Sequence, residues 1–371
     1  YEGALRPVGG WSDFVTGLLP QKARAAHAWR TIGGAPKLAV GMADNLYIYG
    51  PEVLEVDITP TDLIDGRETG ELADGFGSGP FGRGAFGSDY TTTERVLDAT
   101  IWTMANWGED LIACSDYDGR VFQWSPGSLA AAAVISAAPT DNAAICVSEN
   151  RFLFALGAGG DARKVAWCDR EDYTVWESTA TNEAGDFVLN TVGAIKCGTA
   201  LRGQTLILTD QDAHVANYVG PQLVHEFERV GMYCGVISKN AVETIADGAL
   251  WMGFGGFYSY SGGRVSELPC EVGDYVFGRM SRTLQSGVCT VQIAQFNEVW
   301  WFYASTDATE NDSYVAYNYV QGTWQTGSLA RTAGVERGVY YYPMLFGADK
   351  KISFHEKGNV PAGNAVFAET G

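Results

Sequence analysis

The chain is predicted to fold as an all-β propeller of about seven blades with one long glycine- and aromatic-rich inserted loop. Three observations carry this expectation. A strand-and-turn unit recurs seven times, its copies are spaced at blade length, and glycine, at 46 of 371 residues, exceeds the usual share of about 7%. The clearest copy is ALWMGFGGFYSYSGGRVSELP (249–269), in which an apolar strand meets a glycine turn, a short alternating aromatic strand, a second glycine turn and a further strand. Related copies begin at NLYIYG (45), DLIACS (110), RFLFAL (151), TLILTD (205), EVWWFY (298) and MLFGAD (344). Counting between Tyr47, Phe122, Ala166, Ala216, Tyr258, Ala316 and Ser353, one in each short strand, gives separations of 75, 44, 50, 42, 58 and 37 residues. A repeat of this length, each copy a small antiparallel meander, is the mark of propeller blades.

Taken in order, residues 1–37 form a turn-rich N-terminal segment, and HAWRTIG (27–33) reads as either the outer strand of the first blade or the strand that closes the ring. Residues 38–358 form the propeller, and 359–371 a C-terminal segment. Residues 61–95 interrupt the rhythm and explain the 75-residue gap; loops this long are usually functional or disordered. Phe76, Phe81, Phe86 and Tyr90 lie among its glycines, with Arg83 between them. Without strand periodicity to bury them in a blade, these five residues are the candidate subunit-interface residues. SLAAAAVISAAP (128–139) has helix-forming composition, but it is short and Pro139 ends it, so it reads as a linker. ATNEAGDFVLN (180–190) and SELPCEVGDYVFGRMSRT (266–283) read as crossings between blades, the second with a helical turn.

Lys and Arg total 25 against 44 Asp and Glu, a formal charge of −19. Such a surface repels phosphate backbones and anionic membranes. That argues against tight nucleic-acid binding, while an acidic wall suits a passage through which DNA slides without sticking. Seven dispersed cysteines without a CxxC pair read as buried thiols made in a reducing compartment. No run of 18 apolar residues and no basic-then-apolar leader is present, so membrane insertion and Sec export are not expected.

The motifs of the chain supply no catalytic, cofactor-binding or metal residues. GFGSGPFGRG contains G-x-G-x-x-G at Gly77, Gly79 and Gly82 but lacks the flanking strand and helix of a phosphate loop. SDYDG (115–119) resembles a sialidase Asp-box with its spacing off by one, and reads as a type I′ hairpin turn at Asp118-Gly119. With Asp210 and Asp212 it lacks EF-hand spacing. His225-Glu226 opens like a zinc-protease motif, but no second His follows. His27, His214 and His355 read as satisfied or exposed imidazoles. The tryptophans at 102, 107, 124, 167, 176, 251, 300, 301 and 324 fit inter-sheet packing better than a sugar-stacking platform.

Several strings carry a family resemblance. KLAVGMADNLYIYGPEVLEVDITP (37–60), VAWCDREDYTVWESTATNEAGDFVL (165–189), LWMGFGGFYSYSGGRVSELPCEVGDYVF (250–277) and FNEVWWFYASTDATENDSYVAYNYVQGTWQTGSLART (296–332) resemble segments of the tail hub or nozzle proteins of short-tailed bacteriophages, the group that includes packaged-DNA stabilisation proteins. The GFGSGPFGRGAFGSDY loop is similar to an insertion among them, and the likeness covers most of the chain. It implies a non-enzymatic virion structural protein of the tail, assembled in the bacterial host cytoplasm. The expected partners are further copies in a homohexameric ring, the portal, adaptor and other tail proteins, and double-stranded DNA that passes without specific binding. The alternative is a propeller glycan-binding protein or glycosidase, for which carboxylate pairs and exposed tryptophans would serve.

Overall fold

The computed structural model describes residues 9–15, 17–50, 55–72 and 96–357. Among these, seven four-stranded antiparallel sheets form the seven blades of a propeller. Blades 1 to 6 are contiguous meanders that begin with Ala25–Arg30, Trp102–Trp107, Ala144–Val147, Ile195–Leu201, Val242–Ile245 and Cys289–Ile293. These first strands are the innermost ones, packed beside one another around the axis. Blade 7 takes Arg331–Val335, Met344–Gly347 and Ile352–Phe354 from the end of the chain and its outermost strand, Ser12–Asp13, from the beginning. The two ends of the described chain therefore meet. Gly9 N–H donates to Glu356 Oε2 at 2.9 Å, and Lys357 N–H to the Gly10 carbonyl at 2.9 Å.

Each of the seven counting residues, from Tyr47 to Ser353, falls in the third strand of its blade, so the sequence spacing measured a true structural period. Three readings are corrected. HAWRTIG supplies the second half of the innermost strand of blade 1, Ala25–Arg30, in which Ala25 and Trp29 are buried between blades; the closing strand lies upstream. SLAAAAVISAAP and ATNEAGDFVLN are more than connections, since they contribute the edge strands Ala133–Val134 and Gly185–Val188. The expected helical turn is the helix Gly273–Arg279.

Interblade packing uses the large aromatics. Trp102, Trp251 and Trp301 are fully buried, and each indole N–H reaches the backbone of a neighbouring connection or blade: Met42, Cys234 and Ala241 carbonyls, at 2.6, 2.7 and 2.9 Å. Satisfying the one polar atom is what lets an indole fill such a gap at little cost. Trp107, Trp124, Trp167 and Trp300 are also buried, while Trp176 and Trp324 are half-buried. All seven thiols are unpaired; six are buried, and Cys270 is half-buried. No helix among the described residues is long and apolar enough to cross a membrane.

Candidate functional site

In an antiparallel four-stranded meander, the loop between strands two and three and the crossing to the next blade lie on the same face. That face carries the chain's distinctive chemistry. The crossing from blade 1 to blade 2 holds the insertion, whose base is a short stem pairing Glu71–Leu72 with Val96–Leu97. The interface candidates Phe76, Phe81, Arg83, Phe86 and Tyr90, with the glycines of G-x-G-x-x-G, lie outside the described residues. Their anchorage does not.

The feet of the stem are pinned by side chains from strand-connecting loops. Gly66 N–H donates to Asp44 Oδ1 at 3.0 Å, Ile64 N–H to Asp118 Oδ2 at 3.0 Å, and Arg67 N–H to Thr100 Oγ1 at 2.8 Å. Gly66 is closely enclosed, since a Cβ there would lie 2.1 Å from Thr100 Oγ1. Beyond it the chain reaches the crossing to blade 6, where a Cβ on Gly70 would sit 3.1 Å from the Thr283 carbonyl. Glu68 is held on the way. Its carboxylate accepts from Lys22 N–H at 2.9 Å and its carbonyl from the Arg24 guanidinium.

Arg24 is the centre of this anchorage. It is 2% exposed and forks onto Glu310, donating from Nη1 to Oε1 at 3.1 Å and from Nη2 to Oε2 at 2.6 Å. Lys22 Nζ adds a contact to Glu310 Oε2 at 3.2 Å. Burial works to raise the Glu310 carboxyl, but Arg24, Asn311 N–H and Lys22 overcome it and hold it below the ordinary carboxylate range. Bidentate pairing of this kind fixes orientation as well as charge, so blades 1 and 6 and, through the Glu68 carbonyl, the chain leading to the stem are tied together.

Beneath the stem the axial cavity measures about 230 Å³. It is narrow because small residues let the inner strands approach: a Cβ on Gly198 would meet Cys146 Sγ at 2.8 Å, and one on Gly334 would meet Val291 Cβ at 2.8 Å. Glu243 lies on its wall. Burial, reinforced by the neighbouring Glu336 carboxylate, pushes it up to about 8 despite backbone N–H groups of Thr244 and Gln292. The folded state thus keeps a proton that the unfolded chain releases near 4.5, so this group makes stability fall as pH rises from about 5 to about 8 and level off above. Glu243→Gln is expected to flatten that limb and to gain up to a few kcal/mol at about pH 9, measured by urea unfolding at both ends of the range.

The other sequence motifs resolve into structure. SDYDG is not a type I′ turn: Gly119 alone of the Asp118-Gly119 pair has positive φ, at 75°, and its N–H closes a longer loop onto the Ser115 carbonyl. Asp118 is buried there. Burial would raise its carboxyl, but Arg120, at 2.7 Å through Nε and Nη2, and Ile64 N–H hold it down. Asp210 Oδ1 accepts from Ala194 N–H, and Asp212 Oδ1 from Thr191 and Thr209 hydroxyls. His225 is buried among Phe152, Phe154, Trp167 and Phe227, and burial lowers it to about 4. His27 falls likewise to about 4 beside Asn106, and burial also lowers His214 against the pull of Asp212. His355 falls to about 3 through burial and Arg331, from whose Nε it accepts at 3.1 Å. Among the described residues no group of three or more His, Cys, Asp or Glu could hold a metal ion.

The Arg24–Glu310 pair had no sequence signal, since 286 residues separate its members. No protein-family model and no curated protein matches the chain. Its fold is similar to that of a streptogramin B lyase structure, at TM-score 0.54 and 9% identity over 93% of this chain and 96% of that one. It is also similar to virginiamycin B lyase from Staphylococcus aureus, at TM-score 0.57 and 7% identity over 93% of this chain and 98% of that one. A catalytically inactive form of that lyase with quinupristin matches at TM-score 0.51, with 7% identity over 93% of this chain and 98% of that one. At such identities the likeness concerns the propeller fold and carries no reaction with it.

Proposed function

We propose that the chain is a non-enzymatic tail hub or nozzle subunit of a short-tailed bacteriophage, assembling as a hexameric ring that extends the DNA channel, retains packaged DNA and lets it pass at infection. The observation that carries this reading is the anchored insertion. A propeller needs no such anchored stem to bury its blades, and the chain leading into the stem, held at the Glu68 carbonyl by Arg24, which Glu310 in turn orients, gives an aromatic-rich loop a fixed base from which to meet a neighbour. The strings shared in style with hub proteins agree with it.

The propeller's own axis is not the passage in this proposal. An axial cavity of about 230 Å³ cannot admit a duplex whose major groove alone is about 12 Å wide. The duplex would run through the lumen between subunits, where the charge of −19 opposes the counterion-releasing contacts that make DNA stick. Deleting Gly75–Gly87 tests the docking role. The shortened protein is expected to keep its melting temperature and to be missing from purified particles; normal incorporation would remove the insertion from the interface.

A further inference from the structure

A cleft of about 390 Å³ opens on the insertion-bearing face across blades 2, 3 and 4, beside the foot of the stem, which Asp118 of its wall helps to pin. We propose that it binds a saccharide. The inference is independent of ring assembly and stands on the make-up of the wall. Lys239 Nζ sits over the cleft, 3.2 Å from Asp116 Oδ2 and donating to the Ala143 carbonyl at 2.6 Å. Lys196, half-buried on the opposite side, makes no ion pair among the described residues. Asp141 stands in left-handed backbone at φ 53° on the rim.

Two ammonium groups and three carboxylates, Asp116, Asp118 and Asp141, on one small wall are a poor host for a simple ion of either sign, since each would meet at least two like charges. A neutral ligand whose groups both donate and accept suits them all, and hydroxyls have that property. Buried Asn142 adds to the polarity: its Nδ2 donates to the Gly119 and Pro139 carbonyls, while Oδ1 has no protein partner. The remaining element is an aromatic platform. Tyr117 is 41% exposed, with the Arg67 guanidinium 5.1 Å from its ring centroid on one side, so the ring is steadied and part of it faces outward. A pyranose presents an apolar C–H face to such a ring and hydroxyls to the wall around it. The volume lies within the usual range for small-ligand sites, about 300–1,000 Å³, and the floor combines alanine and glycine with the buried Ile195.

The test is titration of the full chain with methyl glucoside, methyl galactoside and methyl N-acetylglucosaminide, followed through the backbone amide signals of Gly119, Gly160 and Lys196. At least one pyranoside is expected to shift these signals saturably. Tyr117→Ala should weaken that binding at least about tenfold, equal to about 1.4 kcal/mol, with an unchanged melting temperature. Lys196→Ala, at a half-buried surface position, provides a second variant with the same expected direction. The proposal is overturned if no pyranoside shifts the signals, if both variants bind like the parent, or if acetate, methylammonium or N-acetylglycinamide saturates the cleft as tightly as the best pyranoside.

Discussion

Replacing Arg24 with alanine is expected to destabilise the protein by about 3–5 kcal/mol at neutral pH, the range found when one member of a buried ion pair is removed. Glu310 would keep its buried position and lose both arms of its fork, and the Glu68 carbonyl would lose its donor. The pH dependence gives the mechanism away. Because Glu310 is held below its ordinary value in the parent, the pair's contribution is present above the unfolded carboxyl range and disappears as pH falls through the folded value. The deficit of Arg24→Ala should therefore be largest at neutral pH and shrink in acid. A double variant, Arg24→Met with Glu310→Leu, should recover much of the loss, since apolar substitutes for a buried pair are often neutral. Denaturant unfolding of the three proteins at two pH values checks this. A single variant within about 0.5 kcal/mol of the parent, the usual span for a plain surface change, would show that the pair does not organise this face.

The second large effect concerns ring closure. A chain beginning at Lys22 lacks the strand Ser12–Asp13 and leaves the backbone of Ile352–Phe354 unpaired along one edge. It also loses Leu19, 3% exposed, and Phe14, whose ring packs edge-on against Tyr49, Tyr340 and Phe354 at 5.2–6.4 Å. At about 1.5–3 kcal/mol for a fully buried large apolar side chain, Leu19 and the half-buried Phe14 together lose about 2–4 kcal/mol. The bared edge should also make the protein associate as concentration rises. Calorimetry and light scattering follow the two consequences, and a peptide spanning residues 9–21 added in trans should restore part of the melting temperature. An unchanged melting temperature would mean that blade 7 is complete with three strands.

The seven third strands were legible because a residue such as Tyr258 or Phe122 alternates with polar neighbours between glycine turns, a local pattern with a period of two. Inner and edge strands were harder to read. Ala25–Arg30 carries three alanines where close approach around the axis demands small side chains, and alanine has no strand preference to announce it. Ala133–Val134 and Ser12–Asp13 are two residues each, too short for any periodicity. At the candidate site, the aromatic insertion was visible from composition. Its anchorage was not, because Arg24 and Glu310 are neighbours only once the ring has closed. The cleft likewise draws Asp116, Asp141, Lys196 and Lys239 from different crossings and loops, and Asp118-Gly119 misled because the loop bonds of Asp118 to Ile64 and Arg120 outweigh a local turn preference.

Electron microscopy of the assembled protein, alone or within particles, shows whether the subunits form a ring around DNA. Six copies are expected around a lumen wide enough for a duplex, with carboxylates predominant on the lumen wall and the insertions at subunit contacts. A protein that stays monomeric in particles and in solution, or a ring whose lumen is lined mainly by Lys and Arg, would contradict that arrangement.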